Sequence, residues 1–304
     1  MYSTREGVPF SSVKWRPKSS YKAKNVFVSV NAEGEIQHWH LTSGTSFIIF
    51  PLKHFHSLQG KCLSTMKHEA FDPQLYCLDF NYDATKIAVS GSEPKIRIYD
   101  EEKRVLDLEL SGEGTNTPGH SSRVYCVKYT KNDPDNPDNN PNLLLSGGWD
   151  YRVIIWDVRE GKPVRSYFGP MICGDGIDVC DNIILTASWT QTNQLQTWDL
   201  REGDEKRNKP VTTIDWDTSM KNSNEPIFLY AGQFSKVDGA LILAGGSNAN
   251  EAKLFDRDNF YKCICNITDL PREVDTVDFA NNSNDFLVAG GDGLIRVHST
   301  TFMG

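Results

Sequence analysis

No run of about eighteen apolar residues, the length a helix needs to cross a bilayer, occurs in these 304 residues. The first thirty also lack the charged, apolar, then small-residue order of a secretory leader. A cytosolic or nuclear protein is the expectation. Seven cysteines (62, 77, 126, 173, 180, 263 and 265) are an odd number without an export signal, which argues for buried thiols rather than a disulfide framework. Cys-x-x-Cys pairs, a His-Glu-x-x-His motif and a glycine-rich loop ahead of a helix are all missing. His54 and His56, with Cys62 and His68 nearby, have ligand chemistry but no zinc-site spacing, and Cys263 with Cys265 has no second ligand pair. No metal and no cofactor is expected. Basic charge is short as well: 32 Lys and Arg against 40 Asp and Glu give −8, which repels nucleic-acid phosphates and anionic membranes alike. The scatter of basic residues from Lys14 to Lys24 forms no helical face and carries no paired aromatics for base stacking. Neither nucleic acid nor a membrane is an expected partner.

Long amphipathic helical stretches are absent too, and short β-rich runs take their place: NVFVSV, KIAVSG, KIRIYD, NLLLSGG, RVIIWD, NIILTAS, QLQTWD, ALILAGG, AKLFD, DFLVAGG and LIRVHS. Aligned, they follow one grammar. A strand and a polar turn lead to an apolar strand ending in small residues, then a short turn leads to a strand closing in an aromatic and Asp. The closing pairs are Trp39-His40, Tyr99-Asp100, Trp156-Asp157, Trp198-Asp199, Phe255-Asp256 and His298-Ser299, spaced by 60, 57, 42, 57 and 43 residues. A repeat of forty-odd residues, lengthened in places, is the reading. KNDPDNPDNNPN (131–142) is one such lengthening, too rich in Pro, Asp and Asn to pair as strand. REGDEKRNKP (201–210) is a charged connection.

Gly119-His120 followed by LLLSGGWDYRVIIWD (143–157) resembles a WD40 repeat, and the other five units resemble degenerate copies of it across nearly the whole chain. The resemblance implies one all-β domain over 1–304, a WD40-type β-propeller of four-stranded antiparallel blades. Six repeats are visible, so the ring has six blades, or seven with one repeat missing. Residues 2–8 (YSTREGV) are expected to close the ring by completing the last blade. In a matching repeat His120, Ser146, Asp150 and Trp156 form a hydrogen-bonded chain that ties three strands together. That structural role outweighs a nucleophile triad of Ser146, His120 and Asp150. The other units, with Glu93, Glu33, Asn248 or Asp292 at the turn and no Gly-His pair, are expected to rely more on packing.

By the same resemblance, one face of the ring receives partners, at positions held here by Arg123, Tyr125 and Trp149. Aligning RVYCVKY with QLYCLDF and EVDTVDF carries the first two to Gln74 and Tyr76, and to Glu273 and Asp275. Trp189 falls at the equivalent turn of the fourth unit. Arg, Tyr and Trp are the residue types that dominate binding energy at interfaces. The expectation is a non-enzymatic scaffold or adaptor that docks a protein or peptide as a subunit of a larger complex. The alternative is an enzyme or small-ligand binder at the channel mouth, for which only Asp175, Asp178, Asp275 and Asp278 are eligible.

One stretch stands outside the grammar. Trp39 to Gly44 matches Trp156 to Gly161, and Lys61 to Met66 matches Lys162 to Tyr167, leaving residues 45–60 as a sixteen-residue surplus. Its apolar FIIFPL sits where a turn between the third and fourth strands should be polar, on the face opposite the expected docking rim.

Overall fold

The repeat is built as six sheets in a computed structural model, which describes residues 8–17, 25–49, 53–67, 72–115, 117–131, 140–201, 209–216 and 226–300. Blade 1 comprises β1 (Phe10–Trp15), β2 (Val26–Asn31), β3 (Glu35–Ile49) and β4 (Lys53–Lys67). Blade 2 comprises β5 (Leu75–Phe80), β6 (Lys86–Gly91), β7 (Ile96–Asp100) and β8 (Val105–Leu110). Blade 3 comprises β9 (Val124–Tyr129), β10 (Leu143–Gly148), β11 (Arg152–Asp157) and β12 (Lys162–Phe168). Blade 4 comprises β13 (Ile177–Cys180), β14 (Ile183–Ala187), β15 (Leu195–Asp199) and β16 (Thr212–Ile214). Blade 5 comprises β17 (Phe228–Phe234), β18 (Leu241–Ser247), β19 (Ala252–Asp256) and β20 (Lys262–Ile267). Blade 6 comprises β21 (Val274–Phe279), β22 (Phe286–Gly290) and β23 (Ile295–His298). Every sheet is antiparallel in sequence order, and the first strands of successive blades approach one another to line the channel. The described residues contain no α-helix, and none long and apolar enough to cross a membrane.

The two middle strands of a blade are covered on both faces, which is why LLLSGG and RVIIWD read as continuous apolar runs instead of alternating ones. The core is correspondingly divided among the interfaces between blades. One cluster joins blades 1 and 2, another blades 2 to 4, a third blades 4 and 5, and a fourth blades 5 and 6. No such cluster among the described residues joins blade 6 to blade 1.

The small residues that end each second strand have a specific cause. Gly148 passes so close to the first strand that a Cβ there would lie 2.0 Å from the Arg123 carbonyl oxygen, and Gly91 and Gly290 meet Gln74 and Glu273 in the same way. Only glycine permits that backbone approach. The carbonyls so approached accept the N–H of the next turn residue, as Arg123 does from Trp149 at 3.1 Å.

One expectation changes. Residues 45–49 and 53–60 do not loop out of the blade, because β3 and β4 run on through them as a long hairpin, with Ser46 opposite His56 and Ile49 opposite Lys53. Past a one-residue register shift between Ser43 and Ser46, the pairing that includes Leu41 and Gly60 goes on to Ile49 and Lys53, so the backbone gains hydrogen bonds instead of leaving the blade. The first strand of blade 1 is FSSVKW, a run the alternation alone does not single out. Residues 2–7 of the expected closing strand, and 132–139 of the Asn-rich loop, lie outside the described residues.

Candidate functional site

The docking rim starts from the turn geometry just described. Gly148 brings the end of β10 against the start of β9, which sets Trp149 beside Arg123 and Tyr125. The Trp149 ring stacks on Tyr125 at 5.3 Å, Tyr125 stacks on Tyr76 of the neighbouring blade at 4.5 Å, and the Arg123 guanidinium lies over Trp149 at 5.5 Å. Gln74 accepts the Tyr76 hydroxyl proton at 3.2 Å. On its other side the Trp149 indole N–H donates to Cys173 Sγ at 2.9 Å. Arg123, Tyr125, Trp149, Gln74 and Tyr76, five of the eight residues at expected rim positions, therefore form one contiguous run over blades 2 and 3. Trp149 is 40% exposed and Arg123 is exposed, while both tyrosines are half-buried. Burial and the neighbouring Tyr125 push the Tyr76 hydroxyl up, so Tyr76 stays neutral at physiological pH. Trp189 stands apart, against Phe228 at 4.7 Å. Phe228 and Cys173 are rim partners that the alignment of the other units did not reach; each lies five residues before the channel position of its blade, Gln233 and Asp178, as Arg123 lies five before Lys128.

Below the rim, His120, Ser146, Asp150 and Trp156 join. The Trp156 indole N–H donates to Ser146 Oγ at 2.8 Å, His120 Nε2 meets the same oxygen at 2.7 Å, and His120 Nδ1 meets Asp150 Oδ2 at 2.8 Å. Burial alone would raise the Asp150 carboxyl, but the bond from His120 and the Ser121 N–H outweigh it and hold it low. The same indole-to-hydroxyl bond recurs at 2.9 Å from Trp39 to Ser29 in blade 1 and from Trp198 to Thr186 in blade 4. Those two blades keep half of the polar chain as well as their packing.

The channel is lined by charge in pairs. Asp178 Oδ1 is 3.1 Å from Lys128, Asp175 Oδ2 is 2.9 Å from Lys14, and Asp278 Oδ1 is 2.6 Å from Lys236. Lys14, Asp79, Lys128, Asp178, Gln233 and Asp278 occupy the same register position in the first strands of blades 1 to 6. Where that residue is an acceptor it takes the backbone N–H of the next blade: Asp79 from Tyr129 at 2.8 Å, Asp178 from Phe234 at 2.9 Å and Gln233 from Phe279 at 2.8 Å. Burial would raise the Asp175 carboxyl, but Lys14 and Lys128 bring it down to about 2. Asp275 goes the other way, pushed up by burial and by Glu273.

Cys77, Cys126 and Asp175 place three donor atoms within 4.8 Å of one another. That set could hold a thiophilic cation only by displacing Lys14 from Asp175 and ionising two buried thiols. Burial and the hydrogen bond with Cys77 push the Cys126 thiol well up, so the cluster reads as a charge-compensated polar core.

The model of the WD domain, G-beta repeat, matches residues 60–100 and 113–157. Each match ends with the third strand of a blade, β7 and β11. Mitotic checkpoint protein bub-3 of Caenorhabditis elegans is 24% identical over 232 residues, covering 74% of this chain and 60% of that protein. E3 ubiquitin-protein ligase COP1 of Pisum sativum is 24% identical over 240 residues, 78% of this chain and 28% of the ligase. Elongator complex protein 2 of Mus musculus is 29% identical over 89 residues, 29% of this chain and 10% of that protein. The chain thus spans less than two thirds of each of these relatives.

Proposed function

We propose, from the premise that this chain is a six-bladed β-propeller carrying WD40 repeats, that it is a non-catalytic scaffold docking a protein or peptide partner on the rim of blades 2 and 3, as a subunit of a larger assembly. The observation that carries this is the stacked run Tyr76–Tyr125–Trp149 under Arg123. Stacking fixes the rings before binding, so a partner gains large rigid area without the entropy cost of ordering them. The names of the relatives agree in kind: one is a mitotic checkpoint protein, one a ubiquitin-protein ligase and one a component of the Elongator complex. The reading places the chain in the cytoplasm or nucleus.

A catalytic channel is disfavoured by its charge pairing. An acid or base needs a free protonation site, yet Asp175, Asp178 and Asp278 each face a lysine, which leaves Asp275 alone of the four candidates. In affinity purification from native cells, Trp149→Ala removes a central anchor worth about 2 kcal/mol or more, a loss of about thirtyfold in affinity. Equal recovery of the same partners by wild type, Trp149→Ala and Arg123→Ala, with unchanged circular dichroism, would sink the reading.

A further inference from the structure

We infer that the wedge between blade 6 and blade 1 is a docking site for an antiparallel β-sheet supplied by a partner protein, apolar on both faces and bearing a basic side chain at its rim end. This surface is separate from the rim and does not rest on it.

The walls of the wedge are blade interfaces without their second half. On the third strand, the position of Ile155 faces the following blade, and Ile98 and Leu254 are buried there. In blade 6 that position is Val297, 72% exposed, and Ile295 beside it is 71% exposed. The opposite wall repeats the pattern. Val127 and Tyr129 of blade 3 are buried against blade 2, but their counterparts Val13 and Trp15 in β1 are 52% and 57% exposed. β1 and β21 lack the close approach found between the first strands of all other neighbours. A cavity of about 1120 Å³ opens instead, running from the channel between these two walls. Four large apolar side chains, Val13, Trp15, Ile295 and Val297, left exposed on two facing sheets mark a surface that is covered in the working molecule.

The backbone ladder says what covers it. Asp79, Asp178 and Gln233 each accept an N–H from the first strand of the following blade. Asp278 holds the same register position at the end of the series, and among the described residues it faces only Lys236. An extended strand beside β21 would present its N–H to Asp278, whereas a helix would spend that donor internally. At the rim end of β21, Glu273 and Asp275 sit two residues apart, and the raised Asp275 carboxyl reports no compensating cation. In blade 3 the equivalent neighbour is Arg123, beside Tyr76. A Lys or Arg on the incoming strand completes the charge. A second copy of this chain is the poorer occupant, because its other blade faces are already buried against their own neighbours.

The test has two arms on the full chain. A photo-crosslinking amino acid at position 13 and, separately, at position 295 in native cell extract is expected to label the same short segment of one other protein. Crosslinks confined to this chain, to a second copy, or to unrelated segments from the two positions overturn the assignment. In the second arm, a copy of residues 117–168, a blade that brings its own Arg123, follows residue 300 through a Gly-Ser linker. Maleimide labelling of Ile295→Cys, mapped by peptide mass, should slow at least tenfold, and Val13→Asp should restore it. Labelling unchanged by the added blade overturns the proposal. Trp149→Ala leaves both arms unaffected, so a failed rim and a failed wedge give different results.

Discussion

Ser146→Ala removes one oxygen that serves two buried partners. The Trp156 indole is fully buried and His120 nearly so, and both point at Ser146 Oγ, at 2.8 and 2.7 Å. No water can replace the lost oxygen without a cavity larger than the one that the substitution leaves. Each orphaned buried group costs about 1–3 kcal/mol, so the pair should cost about 2–6 kcal/mol. For a chain of this length that corresponds to a fall in Tm of several degrees. Blades contact only their neighbours, so the loss should be concentrated in blade 3, and hydrogen exchange of β10 and β11 is the sharper assay. Trp156→Phe deletes the indole donor, and the double variant should be less destabilised than the two singles added, since the Oγ–indole bond is then lost only once. A Ser146→Ala variant within about 0.5 kcal/mol of wild type, or strictly additive singles, would refute the claim that the chain is a satisfied network.

Other outcomes follow from neighbouring geometry. Gly148→Ala puts a Cβ 2.0 Å from the Arg123 carbonyl oxygen and should cost about 1–3 kcal/mol while also weakening partner binding, because the rim residues move with that backbone; urea denaturation and the pull-down read the two effects. Asp175, held to about 2 against an ordinary 3.8, contributes about 2 kcal/mol, reduced by channel water at its 31% exposed side chain. Because that carboxyl is depressed in the fold, the contribution is whole above pH 4 and lost as pH falls toward 2. The raised Lys14 ammonium is lost only in strong base. Lys14→Met should therefore flatten the acid limb of a pH-stability curve, and an unchanged limb would count against the pair.

Much of the blade was legible because its residue choices answer local demands. The glycine ending the second strand of blades 2, 3 and 6, the aromatic closing the third and, in blades 1, 3 and 4, the hydroxyl opposite it serve contacts within about thirty residues, so they recur in register along the chain. The channel ladder was written in the same alignment yet not read. Asp79, Lys128 and Asp278 share one column of QLYCLDF, RVYCVKY and EVDTVDF, a charge in an otherwise apolar strand. Its partners lie on the next blade, 46 to 56 residues away, and only ring formation brings them together. Strand β1 was missed for a related reason. FSSVKW carries Val13 and Trp15 where other first strands bury their apolar pair, and the neighbour that would explain them is not among the described residues. The surplus 45–60 read as an insertion in a turn because it drops out when the first unit is aligned with the third, whereas pairing across the hairpin is a property of two strands and not of either alone.

Rim and wedge also differ in what their occupation should do to the ring. Each blade gains its stability from its own sheet and from two interfaces, so a ligand on one interface is felt chiefly by the two blades that share it. Blades 2 and 3 have both interfaces filled, and the run from Tyr76 to Trp149 is fixed by stacking before any partner arrives. Docking there should change hydrogen exchange little. Blades 1 and 6 each lack one interface, and their bare positions lie on β1 and β23. A sheet entering the wedge converts those strands from half-covered to fully covered. Amides of β22 and β23 should then exchange at least tenfold more slowly in the crosslinked complex, with those of β9 and β10 unchanged. Protection spread evenly around the ring would mean that the wedge closes by a collective shift of the blades, and that no added sheet fills it.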